Sequence, residues 1–143
     1  AVLLAQAGHL APPVLLKILL SGSWATGPFP TEEAIEFHLR QLPDGLDVEW
    51  LLVPHGIADP TLVERLCRRA LELGGGIRVG IGDNPLAARG RTNAELVDEA
   101  ARWAHEAGRP IATAADLRER LGIADVPHRQ GSPSRRPQRF RDP

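Results

Sequence analysis

The sequence predicts an α/β fold, specifically the last three βα units of a TIM-type (β/α)8 barrel, incomplete as given. Three observations predict it. Short apolar strand-like runs alternate with amphipathic helical segments, a pattern that argues for parallel strands joined by crossover helices. The strand candidates are nearly continuously apolar, as in sheets covered on both faces. Finally, 143 residues fall short of the roughly 200 or more that a closed eight-stranded α/β barrel needs.

The predicted order is β-α-β-α-β-α-α, with the end of a further helix at residues 1–7. The first strand is Val14–Leu20, after Pro12-Pro13 and before the turn Ser21-Gly22-Ser23. Thr31-Glu32-Glu33 opens a helix with acids in its first turn, where the helix dipole favours them. Ile35, Leu39 and Leu42 give that helix its apolar face, and Pro43 stops it. The second strand is Glu49–Pro54, ending at His55-Gly56. Asp59-Pro60 starts the next helix with a capping residue and a proline at the first helical position. Its inward residues are Leu62, Leu66, Cys67 and Leu73, and Gly74 ends it. The third strand is Gly76–Ile81. Thr92-Asn93-Ala94-Glu95 is a capping box, followed by a stripe of Leu96, Ala100, Trp103 and Ala107. Gly108 and Pro110 close that helix, and Thr113-Ala114-Ala115-Asp116 begins a short last one reaching Leu121.

Composition narrows the function classes. The chain is 43% hydrophobic and 24% charged, which predicts a packed core and excludes a mainly disordered or collagen-like chain. The formal net charge of -1 argues against a nucleic-acid binder. Charge is unevenly spread, however. Of 17 bases and 18 acids, five arginines (Arg129, Arg135, Arg136, Arg139, Arg141) and one acid (Asp142) follow Pro127, leaving 12 bases and 17 acids, a net of -5, in residues 1–127. Residues 1–124 are therefore read as the barrel portion and 125–143 as a disordered Pro/Arg-rich tail, too poor in apolar residues to offset its ordering entropy. No apolar run reaches the roughly 18 residues of a membrane span. The single cysteine, Cys67, allows no internal disulfide and fits a reducing, cytoplasmic setting. His9, Pro12, Pro13 and Lys17 interrupt the apolar N-terminal stretch, which is not read as a secretory leader. The absence of methionine and the start at Ala1 within that stretch predict a piece of a longer protein.

Ligands of parallel α/β folds gather at the carboxyl ends of strands. Those ends are Ser21-Gly22-Ser23, His55-Gly56 and Gly82-Asp83-Asn84, which makes Ser21, His55 and Asn84 substrate-binding candidates. In Gly76–Gly82, alternation puts Ile77, Val79 and Ile81 toward the helices and Arg78, Gly80 and Gly82 on the opposite face. A guanidinium there needs an anion or acceptors and is shaped for bidentate carboxylate or phosphate contacts. Asp83 can orient Arg78, hold a water or act as a base. These two are the catalytic candidates. The purely structural alternative is an Arg78–Asp83 ion pair that only ties strand to loop.

Other signals are weaker. Gly74-Gly75-Gly76 precedes its strand and reads as a helix stop. Gly80-Ile81-Gly82 would begin a dinucleotide-binding loop only with glycine at position 85, which is Pro85. His38 and His105 read as surface groups on helices. Lys17 shares parity with Leu19 and Ser21 and can point inward. Cys67 reads as core. No metal-ligand spacing occurs.

GGGIRVGIGDN, followed by RTNAELVDEAARWAHEAGRPIATAADLRERLGI, resembles the late block of the β-keto acid cleavage enzymes. APPVLLKILLSG, PTEEAIEFHLRQLP and VEWLLV extend the resemblance from about Pro12 to Ile123. It implies a Zn(II)-dependent α/β barrel, usually a homo-oligomer, that converts a β-keto acid plus acetyl-CoA into acetoacetate plus a new acyl-CoA. A divalent metal there would polarise the keto oxygen and stabilise the enolate. By the same resemblance Arg78 and Asp83 act with a water in proton abstraction. The family's metal-ligating glutamate position is Gly82 here, and its histidine pair comes from an earlier strand. His9, in GHLAPP, does not match that pair. Two readings follow: a C-terminal part of such an acyltransferase, or a non-catalytic half-barrel that folds only with a partner half or as an oligomer.

Overall fold

Val14–Ser21 (β1) and Val48–His55 (β2) pair in parallel over eight residues, from Val14 against Val48 to Ser21 against His55. Gly76–Ile77 (β3) adds to the other side of β2, giving the order β1-β2-β3. The helices are Val2–Gln6 (α1), Glu32–Arg40 (α2), Pro60–Glu72 (α3), Asn93–Glu106 (α4) and Ala114–Arg120 (α5). This computed structural model describes residues 1–25 and 27–123. The architecture is α/β with a parallel sheet and agrees with part of a TIM-type fold. The basic tail assigned to 125–143 lies outside the described residues.

The start signals form as the sequence predicts. The side chains of Thr31, Asp59, Thr92 and Thr113 each accept a hydrogen bond from the first turn of α2, α3, α4 and α5. Thr92/Glu95 and Thr113/Asp116 complete reciprocal capping boxes. Such caps satisfy donors that a helix start leaves without partners.

Alternation along β1 and β2 divides the sheet. Ile18, Leu20 and Leu52 pack with Ile35 of α2 and Leu66 and Ala70 of α3. A second cluster joins Cys67 and Leu71 of α3 to Trp103 and Ala104 of α4, and Ile77 and Val63 touch both. Burial at Leu52 and Leu66 is complete, and truncating such a leucine to alanine costs about 2–5 kcal/mol. The opposite face carries Leu15, 54% exposed, and the exposed Lys17. The α4 stripe departs from expectation at one position. Ala104 is buried, whereas Ala107, the residue that ends the helix, is exposed.

The third strand is shorter than the predicted Gly76–Ile81. The Arg78 amide still bonds Leu52 O at 2.9 Å, but the Gly80 carbonyl then turns to receive the Asp83 and Asn84 amides, each at 3.2 Å. The Ile81 amide goes to Asn93 Oδ1 at 2.9 Å. Bonds to a turn and to the start of α4 replace the ladder, and Ile81 is left exposed rather than facing the helices. The preceding glycine run does more than stop α3. A side chain at Gly75 would meet the Trp50 indole within 2.5 Å, so only glycine lets the chain pass beneath that ring. Arg109 completes the junction by donating to Leu71 O at 2.8 Å and Gly74 O at 3.1 Å, carbonyls at the end of α3.

Burial, with the Glu99 and Glu64 charges adding to it, pushes the Cys67 thiol up to about 12 from 9.0. The raised value favours the protonated thiol in the fold. Its contribution to stability is therefore complete below pH 9 and is lost as pH rises toward 12. Denaturant titrations should show stability falling more steeply between pH 9 and pH 12 in the native sequence than in Cys67→Ala. Equal slopes would contradict this. The native thiol should also resist alkylation at neutral pH and react on unfolding.

Candidate functional site

The carboxyl ends of β1 and β2 and the turn after β3 meet at one end of the sheet. Ser21 and His55 are register partners, and Ser21 Oγ lies 3.3 Å from His55 Nδ1. The same oxygen accepts the amides of Ser23 and Trp24, both at 3.2 Å. The Trp24 and His55 rings are 4.7 Å apart at 49°. Gly56, at φ 60, lies against Ser23, where a side chain would collide with the serine hydroxyl. Small residues therefore let the two strand ends converge.

The turn after β3 is stitched to β2. The Gly56 amide donates to Asp83 O at 3.1 Å, and the Ile57 amide donates to Asn84 Oδ1 at 2.7 Å. Asn84 is 7% exposed. Its oxygen thus serves the loop, which places this substrate-binding candidate inside the framework. Pairing of Leu51 with Gly76 and Leu52 with Ile77 puts Arg78, by alternation, on the open face with Lys17, Ser21 and His55.

Arg78 and Asp83 form a two-pronged pair, Nε to Oδ2 at 3.0 Å and Nη2 to Oδ1 at 2.9 Å. The arginine side chain is 51% exposed and the aspartate 16%. Alternation gives Arg78 the expected direction, but its guanidinium is not enclosed: the side chain is half exposed, whereas Val53 and Ser21, on the same face by register, are buried. Among the described residues Nη1 makes no hydrogen bond, so part of the fork is available to an anion while Asp83 fixes its plane.

Sequence reasoning passed over two residues. Asn93 anchors the turn through Ile81, a contact that depends on how α4 docks and has no local signature. Trp24, in SGSW, is an exposed aromatic next to a strand end, which is the signal that marks it. Lys17 is exposed on the open face, and His38 and His105 lie away from the pair on α2 and α4. Among the described residues no group of three or more His, Cys, Asp or Glu is placed to hold a metal ion.

The sequence profile of the beta-keto acid cleavage enzyme family matches residues 1–123. A 58-residue stretch is 45% identical to 3-keto-5-aminohexanoate cleavage enzyme of Acetoanaerobium sticklandii, covering 38% of this chain and 21% of that enzyme. The match thus spans about a fifth of the curated relative. The chain belongs to the beta-keto acid cleavage enzyme family.

The Asn84 clamp has a direct test. Asn84→Ala leaves the buried Ile57 amide without its acceptor, which should destabilise the fold by about 1–3 kcal/mol. Amide exchange at Ile57 should accelerate in parallel. Unchanged stability and exchange would remove the clamp from the account.

Proposed function

We propose that this member of the beta-keto acid cleavage enzyme family forms the last three βα units of a TIM-type barrel. In this reading it contributes to conversion of a β-keto acid and acetyl-CoA into acetoacetate and a new acyl-CoA. The observation that carries the reading is the two-pronged Arg78–Asp83 pair, aligned at the strand ends with Ser21 and His55.

The free edge of the Arg78 fork binds the carboxylate of the β-keto acid or orients a water. Asp83, held in the plane of that fork, takes part in moving the proton from the methylene between the keto and carboxylate groups. Proton transfer by a positioned group and stabilisation of developing charge by a fixed cation are the two effects required. Ser21 and His55 line the substrate side of the strand ends, and Asn84 supports them by holding the loop. The protein works in the cytoplasm as a homo-oligomer.

The family resemblance implies Zn(II), and the residues present do not fit it. Gly82, at the metal-ligating glutamate position, has no side chain, although a Cβ there would meet nothing within 4 Å. Asp83 is engaged by Arg78, and His55 has Ser21 at its Nδ1. No step is therefore routed through a metal in this chain.

A second reading is favoured by the exposed Leu15 on the open sheet face and the outer edge of β1, which no described strand pairs. In it the chain is a non-catalytic half-barrel completed by a partner half or another copy, since an unpaired strand edge is prone to association. Light scattering over a concentration series should then give a rising mass. A constant monomer mass would exclude self-association.

Arg78→Lys keeps the charge and loses the fork. Turnover of a β-keto acid with acetyl-CoA should fall on the order of 100-fold, or about 2.7 kcal/mol in the barrier. The melting temperature should barely change, because a half-exposed ion pair contributes little to stability. Parallel loss of activity and stability would reduce the pair to a structural tie.

A further inference from the structure

We infer that His55 is a further catalytic residue of the proposed reaction, its neutral imidazole donating the Nε2–H to the keto oxygen of the β-keto acid. The role rests on that reading, whereas the state of the ring follows from hydrogen-bond counting alone. Ser21 is 8% exposed, and its Oγ already accepts the amides of Ser23 and Trp24, both at 3.2 Å. A hydroxyl oxygen has two lone pairs and one hydrogen. Both lone pairs are therefore committed to backbone donors, and only the hydrogen is left. His55 Nδ1 lies 3.3 Å from that oxygen and Ser23 Oγ 3.4 Å. Whichever of them takes the hydrogen, a proton on Nδ1 would face an oxygen with no lone pair to receive it. Nδ1 is thus the acceptor, and the neutral ring carries its proton on Nε2.

Nε2 is the ring nitrogen turned away from Ser21. It has no hydrogen-bond partner among the described residues and, unlike Asn84 Nδ2 and Trp103 Nε1, is not sealed from solvent. Ser21 on one side and the Trp24 ring, 4.7 Å away at 49°, on another fix the imidazole before a ligand arrives. Its position suits the ligand. Leu52 pairs with Ile77, so Arg78 follows opposite Val53, and His55 lies two residues beyond Val53 on the same face. The next residue, Gly56, donates its amide to Asp83 O at 3.1 Å. His55 therefore ends the strand beside the turn that carries Asp83.

A β-keto carboxylate needs two kinds of contact. Its carboxylate carries a full charge and meets the unbonded edge of the Arg78 fork. Its keto oxygen, separated from the carboxylate by the methylene, is neutral until the methylene proton leaves. As that proton passes to Asp83, the C–H electron pair moves toward the keto oxygen, which becomes the enolate oxygen. A fixed N–H at that oxygen strengthens as the charge grows, and so favours the transition state over the bound substrate. No proton leaves His55, and the ring stays neutral throughout. Ser21 is the positioning residue, because it sets which ring nitrogen donates.

Two-bond proton–nitrogen NMR spectra of the isotope-labelled full chain should show the neutral form of His55 protonated at Nε2. Ser21→Ala, which removes the hydroxyl at Nδ1, should let the Nδ1–H form appear. A native ring protonated at Nδ1 would overturn the inference whether or not the chain turns over substrate. Acetoacetate titrated into the chain should shift the His55 Nε2–H signal to saturation. Butanoate, which has the carboxylate but no keto oxygen, should not, and equal shifts from both would overturn the assignment to the keto oxygen. In turnover, His55→Phe keeps a ring against Trp24 and removes the donor, so kcat should fall about 100-fold with KM little changed. His55→Gln, whose amide reaches the place of Nε2, should recover most of that loss. Equal losses in the two variants, with the melting temperature unchanged, would remove His55 from the reaction. A native chain without turnover would sink the proposed reaction and the catalytic role together, while the tautomer and the keto-oxygen contact stand or fall on the NMR readings.

Discussion

The in-register parallel pairing of β1 with β2 is the constraint on which the other features rest. Eight consecutive partners fix which residues meet the helices and which face the open side. A slip of one residue would exchange the two faces, moving Ile18 and Leu20 out of the core and Lys17 into it. The same register brings Ser21 and His55 to one level, so their side chains meet across strands 34 residues apart in sequence. Attachment of β3 to β2 at Leu51 and Leu52 then sends Arg78 to that face.

What holds Asp83 in place is a set of uncharged hydrogen bonds rather than an ion pair. Its carbonyl is tied to Gly56, its neighbour Asn84 grips Ile57, and Ile81 is tied to Asn93. Two of these three bonds join the turn to the end of β2, and the third joins it to α4. The Arg78–Asp83 pair, with the arginine half exposed, adds on the order of 1 kcal/mol. The loop would keep its position without the pair, so the fork can exchange part of its hydrogen bonding with a ligand without unravelling its support. A pair that costs the fold little to open is suited to substrate contact, whereas the buried Asn84 clamp is suited to permanence.

Features encoded within a few residues were legible from the sequence. The Thr92–Glu95 capping box, the proline start of α3 and the alternation that sets the face of Arg78 depend only on local spacing. Features encoded by distant contacts were not. The length of β3 depends on Gly80 and Ile81 finding better partners in the turn and at Asn93, 12 residues beyond Ile81. Gly75 is demanded by Trp50 on another strand. The sequence marks Asn84 only as a polar residue after a strand, while its buried bond across 27 residues decides its orientation. The candidate pair was legible because strand parity and the five-residue separation of Arg78 and Asp83 are both local. Its exposure was not, because that depends on what covers the sheet.

The distribution of the remaining charge favours the open face as the place where an anion is met. On the helix side, Arg65 pairs with Glu32, Arg69 with Glu36, and Arg68 with Glu64 and Glu106. Arg102 shares Glu99 and Glu106, and Arg91 also engages Glu99. Each of these cations is cancelled by a nearby carboxylate. On the open face Lys17 has no ion-pair partner among the described residues, and Arg78 retains part of its fork beyond Asp83. Opposite charges a few ångströms apart leave little field at a distance, whereas uncompensated ones project it. Arg78 is itself offset by Asp83, so what it keeps for an anion is the unbonded edge of its fork rather than net charge, and Lys17 is the cation of that face with no carboxylate partner among the described residues.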